Sequence, residues 1–210
     1  MTAAAILPYF LAADPPPVAH FAGNDSSEES GRDHAWAERI KAGDHDALTA
    51  LFTVYFPRLV TFARRYVASR DVAEDVVQDV LIKLWIDHVT WRIPDSVAAY
   101  LYRSVRNRAI EVRRHDLVIA KHEETVLTLS VPAIEHPGTE QLEARDLRLA
   151  AERAITKLAP RCREIFLLNR VHGLTYREIS ATLDISQSTV ETQMARAIRA
   201  LHLALADFRR

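Results

Sequence analysis

The stretch that most narrows what this chain can become lies near its end, from Gly173 to Arg199. Thr175 can cap a helix, and Glu178, three residues on, completes a capping box. Ile179 and Leu183 sit one turn apart on that helix. Asp184-Ile185-Ser186 breaks the pattern, and Ser186 can cap a second helix. There Val190, Met194, Ala197, Ile198 and Leu201 recur at helical spacing as one apolar stripe. The opposite face carries Ser188, Thr192, Ala195, Arg196 and Arg199, with Gln187 and Glu191 at its edge. A short helix, a tight turn and a longer helix with a polar, small and basic outer face describe a helix-turn-helix, whose second helix lies in the DNA major groove. The competing reading is an ordinary helical hairpin; two caps placed around one short turn favour the first.

Glycine is scarce at 5 of 210 residues, hydrophobic residues make up 49%, and strand-like alternation is hard to find. The expected fold class is therefore all-α: two small helical domains joined by a flexible acidic linker, the second ending in the helix-turn-helix. The single cysteine, Cys162, excludes a disulfide framework and suits a reducing cytoplasm. It is expected to pack as a small apolar residue. No apolar run is long enough to span a bilayer. Met1–Ala13 is apolar but lacks a basic start and contains Pro8, so a signal peptide is not expected. The net charge of -1 argues against a uniformly basic DNA binder, but the charges are unevenly placed. Residues 97–115 carry five Lys and Arg against one acid, and residues 146–210 carry eleven against seven. Between them, residues 116–145 carry two against six. Two basic blocks separated by an acidic one fit two contacts with nucleic acid; chance clustering on solvated helices is the alternative.

Along the chain, residues 1–34 are rich in Ala, Pro, Ser and acids and read as a disordered extension. A first domain spans residues 35–115. It opens with a short helix from Trp36 to Gly43. Asp44 caps a segment with an apolar face of Ala47, Leu48, Leu51, Phe52 and Tyr55. Pro57 predicts a break or kink before a further helix through Leu59, Phe62 and Tyr66. From Asp71 to about Asp87, Val72, Val76, Val77, Val80, Leu81, Leu84 and Trp85 make a wide buried face. Glu74, Asp75, Gln78, Asp79 and Ile82 make the other. Acids in a first turn suit the helix dipole, but Gln78 and Asp79 lie beyond its reach, so this is a candidate protein-binding face. After the loop Trp91–Ser96, a helix runs to about Arg114. Leu101, Val105, Ala109 and Val112 can face its core, while Tyr100, Arg103, Arg106, Asn107, Arg108 and Arg113 can show an aromatic and basic surface. Such a surface suits single-stranded or distorted DNA, arginines holding phosphates and rings taking unstacked bases; a solvated basic helix with its tyrosines in the core is the alternative. Residues 116–138, acidic and holding Pro132 and Pro137, read as the linker, and residues 139–210 as the second domain.

Taken together these segments resemble a bacterial sigma factor of the extracytoplasmic-function (ECF) group, over about residues 35–210. The match rests on Asp71–Trp85, on Tyr100-Leu101-Tyr102-Arg103 followed by Asn107, and on residues 161–203, in the family's order. The resemblance implies a transcription initiation factor, not an enzyme, that binds core RNA polymerase and directs it to promoters. It implies a polymerase-binding face of Glu74, Asp75, Gln78, Asp79 and Ile82. It implies contact with the minus-ten element by Trp91, Arg92, Ser96, Tyr100, Arg103, Arg106, Asn107 and Arg108, with an unstacked base held between the Trp91–Ser96 loop and the helix from Tyr100. Contact with the minus-thirty-five duplex falls to Thr175, Tyr176, Gln187, Ser188, Thr189, Glu191, Thr192, Arg196 and Arg199. Core RNA polymerase, promoter DNA and an anti-sigma protein are the implied partners, with no cofactor, no metal, no membrane insertion and a cytoplasmic location. Two departures stand out. Glu191 and Gln193 occupy positions where many relatives are basic, and Tyr100 stands where many have Trp.

A stand-alone helix-turn-helix regulator would explain residues 146–210 but would leave the helices at Asp71–Trp85 and Tyr100–Arg114 without a role. An enzyme is disfavoured by the lack of a Gly-rich phosphate loop, a His-Glu-x-x-His zinc site or a nucleophile motif. A carboxylate nuclease built on Glu74, Asp75 and Asp79 is excluded only by weaker argument.

Overall fold

The computed structural model describes residues 25–119 and 142–206, and these form eight α-helices and no strand. The helices are α1 (Asp25–Lys41), α2 (His45–Ala63), α3 (Arg70–Ile86), α4 (Val97–Ile119), α5 (Leu142–Lys157), α6 (Pro160–Arg170), α7 (Tyr176–Leu183) and α8 (Gln187–Ala204). They divide into two compact units. The first holds α1 to α4; the second is built on α5, α6, α8 and most of α7.

In the first unit, α1 overturns part of the expected disorder over residues 1–34. The chain is helical from Asp25, and residues 1–24 lie outside the described residues. Composition hid this because the anchors of α1 are sparse. Ala37 and Ile40 are buried. Asp33, only 3% exposed, accepts a hydrogen bond from the Tyr55 hydroxyl and pairs with Arg32 at 3.0 Å. The Arg32 guanidinium lies 4.7 Å from the centre of the Trp36 ring, and Glu29 reaches Arg58 of α2 at 3.6 Å. Gly43, at φ 87°, turns the chain out of α1 in a backbone region that favours glycine. Asp44 then caps α2, its carboxylate accepting from the amides of Asp46 and Ala47.

Pro57 does not break the chain as expected: α2 runs unbroken through it. Proline removes one donor and costs about 3 kcal/mol in a helix interior. Here Pro57 is exposed, as is Thr53, whose carbonyl it leaves without a helical partner, so water can serve that oxygen. Leu51, Tyr55, Leu59 and Phe62 are buried on the opposite side, and each such side chain contributes roughly 1.5–3 kcal/mol. Packing outweighs the local penalty. Helix α2 packs on α1, α3 and α4. Ser69 caps α3 through the Val72 amide at 3.2 Å, so the helix begins at Arg70, one residue before the expected Asp71. The buried stripe of α3 is Ala73, Val76, Val77, Leu81 and Leu84, while Val72, Val80 and Trp85 are only half-buried. Ser96 starts α4, its hydroxyl accepting from the Ala99 amide at 3.1 Å. Leu101, Tyr102, Val105 and Ala109 are buried, and the Tyr102 ring meets the edge of Phe62 at 5.0 Å. Helix α4 continues to Ile119, into the first residues of the expected linker. The remainder of that linker and residues 139–141 lie outside the described residues.

The second unit follows its punctuation closely. Pro160 occupies the first turn of α6, where its missing N–H has no cost. Gly173, at φ 75°, turns the chain toward α7. Thr175 and Glu178 form the full capping box. Helix α7 ends at Asp184 in the left-handed region, φ 56°, which a short polar side chain tolerates best after glycine. Ser186 caps α8 through the Thr189 amide at 3.1 Å. Val190, Met194, Ala197 and Leu201 of α8 are fully buried, as are Ile165 and Leu168 of α6 and Ile179 of α7. Cys162 is buried as expected, and it also has a polar contact, its Sγ 3.1 Å from the Gln193 carbonyl oxygen. Burial raises the Cys162 thiol pKa, which favours the unreactive thiol.

Candidate nucleic-acid and protein interfaces

On α3 the face opposite the core is the one the pattern singled out. Asp75, Gln78, Asp79 and Ile82 are exposed, and Glu74 is half-buried. Ile82 is 56% exposed, and Ile86 and Val89 continue an apolar strip beyond it. An exposed strip of large aliphatic side chains beside carboxylates is the composition of a protein contact. Two of the acids are already engaged. Glu74 takes the Arg70 guanidinium at 2.7 Å, which raises the Arg70 pKa further. Asp79 takes Arg108 of α4 at 2.8 Å. Arg108 also reaches Glu111 at 3.6 Å. The pattern placed Asp79 and Arg108 on different surfaces, yet they neutralise one another.

The loop and α4 hold the second group. Trp91 is only 7% exposed, so it cannot act as a free outer ring. Its indole instead backs Tyr100, with ring centres 5.5 Å apart. The Trp91 Nε1–H is buried with no hydrogen-bond partner, an arrangement that costs about 1–3 kcal/mol. Tyr100 is half-buried above it, and Arg92, Arg103 and Asn107 are exposed nearby in sequence. Arg106 is half-buried. The Ser96 hydroxyl is taken by its cap role. Tyr102 belongs to the core.

In the second unit α8 shows Gln187, Ser188, Glu191, Thr192, Arg196 and Arg199 on its exposed side, with Thr189 half-buried. The Gln187 amide nitrogen donates to Glu191 Oε1 at 3.2 Å. The Thr192 hydroxyl donates to the Ser188 carbonyl at 2.9 Å. Thr175 is occupied by the capping box; its hydroxyl and amide both donate to Glu178. The Tyr176 hydroxyl is buried with no hydrogen-bond partner, and its pKa is raised, chiefly by burial and further by Glu191. Among the described residues no group of three or more His, Cys, Asp or Glu side chains is placed to hold a metal ion. No described helix is long and apolar enough to cross a membrane.

Sequence reasoning missed Ser69, Asp33 and the pair of histidines around Trp85. The His45 and His88 rings lie 4.2 and 4.7 Å from the Trp85 ring. The Ser69 cap was readable as a serine before a helical stripe. The others depend on contacts between helices that no local pattern carries.

An exposed, part-acidic helix face, an aromatic pair beside a basic helix, and a capped helix-turn-helix, in that order, define a class of helical protein with a helix-turn-helix in its second unit. Known proteins give that class a family. Residues 51–116 match the model of Sigma-70 region 2, and residues 148–201 match that of Sigma-70 region 4. The ECF RNA polymerase sigma-E factor of Escherichia coli (strain K12) is 30% identical over 179 residues, covering 80% of this chain and 92% of the relative. The ECF RNA polymerase sigma factor SigW of Bacillus subtilis (strain 168) is 24% identical over 177 residues, covering 81% and 95%. Among solved structures, the sigma factor RpoE in complex with the anti-sigma factor NepR from Bartonella quintana matches with TM-score 0.56 and 25% identity, over 75% of this chain and 96% of that one. The structure of CnrH in complex with the cytosolic domain of CnrY matches with TM-score 0.55 and 23% identity, over 84% and 97%, a likeness of fold. The chain belongs to the ECF group of RNA polymerase sigma factors.

Proposed function

We propose that the protein joins core RNA polymerase through α3 and directs it to promoters by reading two elements of DNA, under the control of an anti-sigma partner. The observation that carries this reading is that region 2 and region 4 matches occur on one chain, in order, each with an exposed polar face. The α3 face of Asp75, Gln78 and Ile82 suits polymerase docking, with Glu74 and Asp79 as flanking acids shared with Arg70 and Arg108. The first unit takes the minus-ten element. Arg92, Arg103, Arg106 and Asn107 approach its backbone, and an unstacked base lies against Tyr100. Trp91 acts as the wall behind Tyr100, and its unpartnered N–H is a donor awaiting an acceptor. Ser96 serves by positioning α4. The second unit takes the minus-thirty-five duplex with α8 in the major groove. There Gln187, Ser188, Glu191 and Thr192 face bases and Arg196 and Arg199 face the backbone. Thr175 and Tyr176 set the start of α7, which crosses the backbone. The role is one of binding alone, exercised in the cytoplasm with the polymerase. An anti-sigma partner is supported by the likeness to RpoE, whose solved complex holds NepR.

The test is co-elution with bacterial core RNA polymerase on a sizing column, with a duplex-only binding assay alongside. Stable co-elution and promoter-dependent transcription are expected. Duplex binding without co-elution would replace this reading with a stand-alone regulator.

A further inference from the structure

The base-reading half of α8 carries no cation. From Asp184 to Ala195 there is no Lys or Arg; the helix's arginines, Arg196 and Arg199, follow on later turns. The one charge among the exposed side chains of that half is Glu191. Its Oε1 accepts from the Gln187 amide at 3.2 Å, a contact that favours one rotamer of each side chain, and both residues are exposed.

An ionised carboxylate only accepts hydrogen bonds. In the major groove guanine and thymine present acceptors, while cytosine N4 and adenine N6 are the donors. Adenine N6 stands between two acceptors, its own N7 and the O4 of the paired thymine. Cytosine N4 has an acceptor on one side only, the O6 of the paired guanine, and the C5–H on the other. A carboxylate is repelled less at cytosine. From the hydrogen-bonded Gln187–Glu191 pair we infer that Glu191 selects a cytosine in the upstream duplex element, with Gln187 as its positioning residue. This rests on the proposal that α8 reads that duplex. The same negative charge that selects cytosine repels phosphate, so it fits over a groove and not over the backbone. Arg196 and Arg199 supply the phosphate attraction that Glu191 cannot.

The experiment loads the full protein on core polymerase and selects from a duplex pool randomised across the upstream element. The wild type is expected to enrich cytosine at one position by about tenfold or more, the discrimination of one good base-edge contact. Glu191→Gln should shift that one position toward adenine, which an amide reads through N6 and N7. Gln187→Ala should weaken the same cytosine preference partway without replacing it by a preference for another base. A pool from Glu191→Gln identical to the wild-type pool overturns the inference, as does a Glu191-dependent preference for any base but cytosine. A wild-type pool with no enrichment at all overturns the duplex-reading role of α8 itself, so the two failures are distinguishable.

Discussion

Replacing Tyr55 by Phe removes one oxygen atom and tests how α1 is held. The Tyr55 hydroxyl, buried among α2 side chains, donates to Asp33 of α1, whose carboxylate is itself buried. A hydrogen bond to a charged group contributes about 1.5–3 kcal/mol. The substitution keeps the ring, so no cavity larger than the hydroxyl forms. Asp33 keeps one partner, Arg32, at 3.0 Å, but Arg32 is partly solvent-exposed and its attraction is screened. A loss of roughly 2 kcal/mol from the first unit is therefore expected. The pH dependence adds a second signature. Burial first, and then the negative charge of Asp33, pushes the Tyr55 pKa far above the ordinary tyrosine range. A proton held more tightly in the folded state stabilises it fully below the unfolded tyrosine value, near 10. That contribution is lost as pH rises from there toward the folded value. Urea denaturation followed by the fluorescence of Trp36, Trp85 and Trp91, all in the first unit, at pH 7 and above 10 reads both effects. Tyr55→Phe should unfold earlier at pH 7 and lose less stability on going alkaline. A variant within about 0.5 kcal/mol of wild type, the range of an inert surface change, with the same alkaline slope, would refute the account of how α1 is anchored.

Three further outcomes follow from the same contacts. Thr175→Ala removes the hydroxyl half of the capping box, leaving the backbone amide at 175 bonded to Glu178, and should cost the second unit about 1 kcal/mol, read by thermal melting, with weaker duplex binding as a consequence. Ile82→Asp, at an exposed position, should leave the melting temperature within a few degrees while weakening co-elution with core polymerase; unchanged co-elution removes the strip from that interface. Arg196→Ala and Arg199→Ala should each weaken duplex binding across all sequences and reduce the salt slope by about one. A sequence-selective effect would instead place that arginine on a base edge.

Most of the fold was legible where local rules agree with packing. The second unit is the clearest case. Gly173, Thr175, Glu178, Asp184, Ser186 and the stripe Val190–Leu201 each point to the same breakpoints, and the structure places a cap or a buried face at each. Legibility failed where packing between helices overrides a local rule. Pro57 reads as a breaker in any window, but its penalty falls on a solvent-facing turn while the opposite side of α2 is buried. Residues 25–34 read as disordered because they are polar and acidic. Their order depends on Asp33 finding Tyr55, 22 positions along the chain. The exposed side of α3 was readable as a face from period alone, but not that Asp79 would be shared with Arg108, 29 positions away. For Trp91 the family resemblance implies a contact with DNA, which no local pattern of the sequence carries. The structure buries it against the Tyr100 ring, a contact set by packing and not by any local pattern.

The charge arrangement bears on how such a protein reaches DNA at all. Affinity for duplex DNA grows with the number of phosphates neutralised, and this chain has a formal net charge of -1. Several of its arginines are already paired: Arg70 with Glu74, Arg108 with Asp79 and Glu111, Arg39 with Asp44. The exposed side of α8 offers two arginines against one glutamate. By counterion release alone a surface with so few unpaired cations is expected to bind duplex weakly, which would leave little affinity for non-promoter DNA. Held on a polymerase, the same few contacts become intramolecular with those of the first unit, and weak readings at two elements multiply into one selective one. The selective role proposed for Glu191 runs in the same direction as the low net charge: a carboxylate there gives up attraction to phosphate in exchange for discrimination between bases.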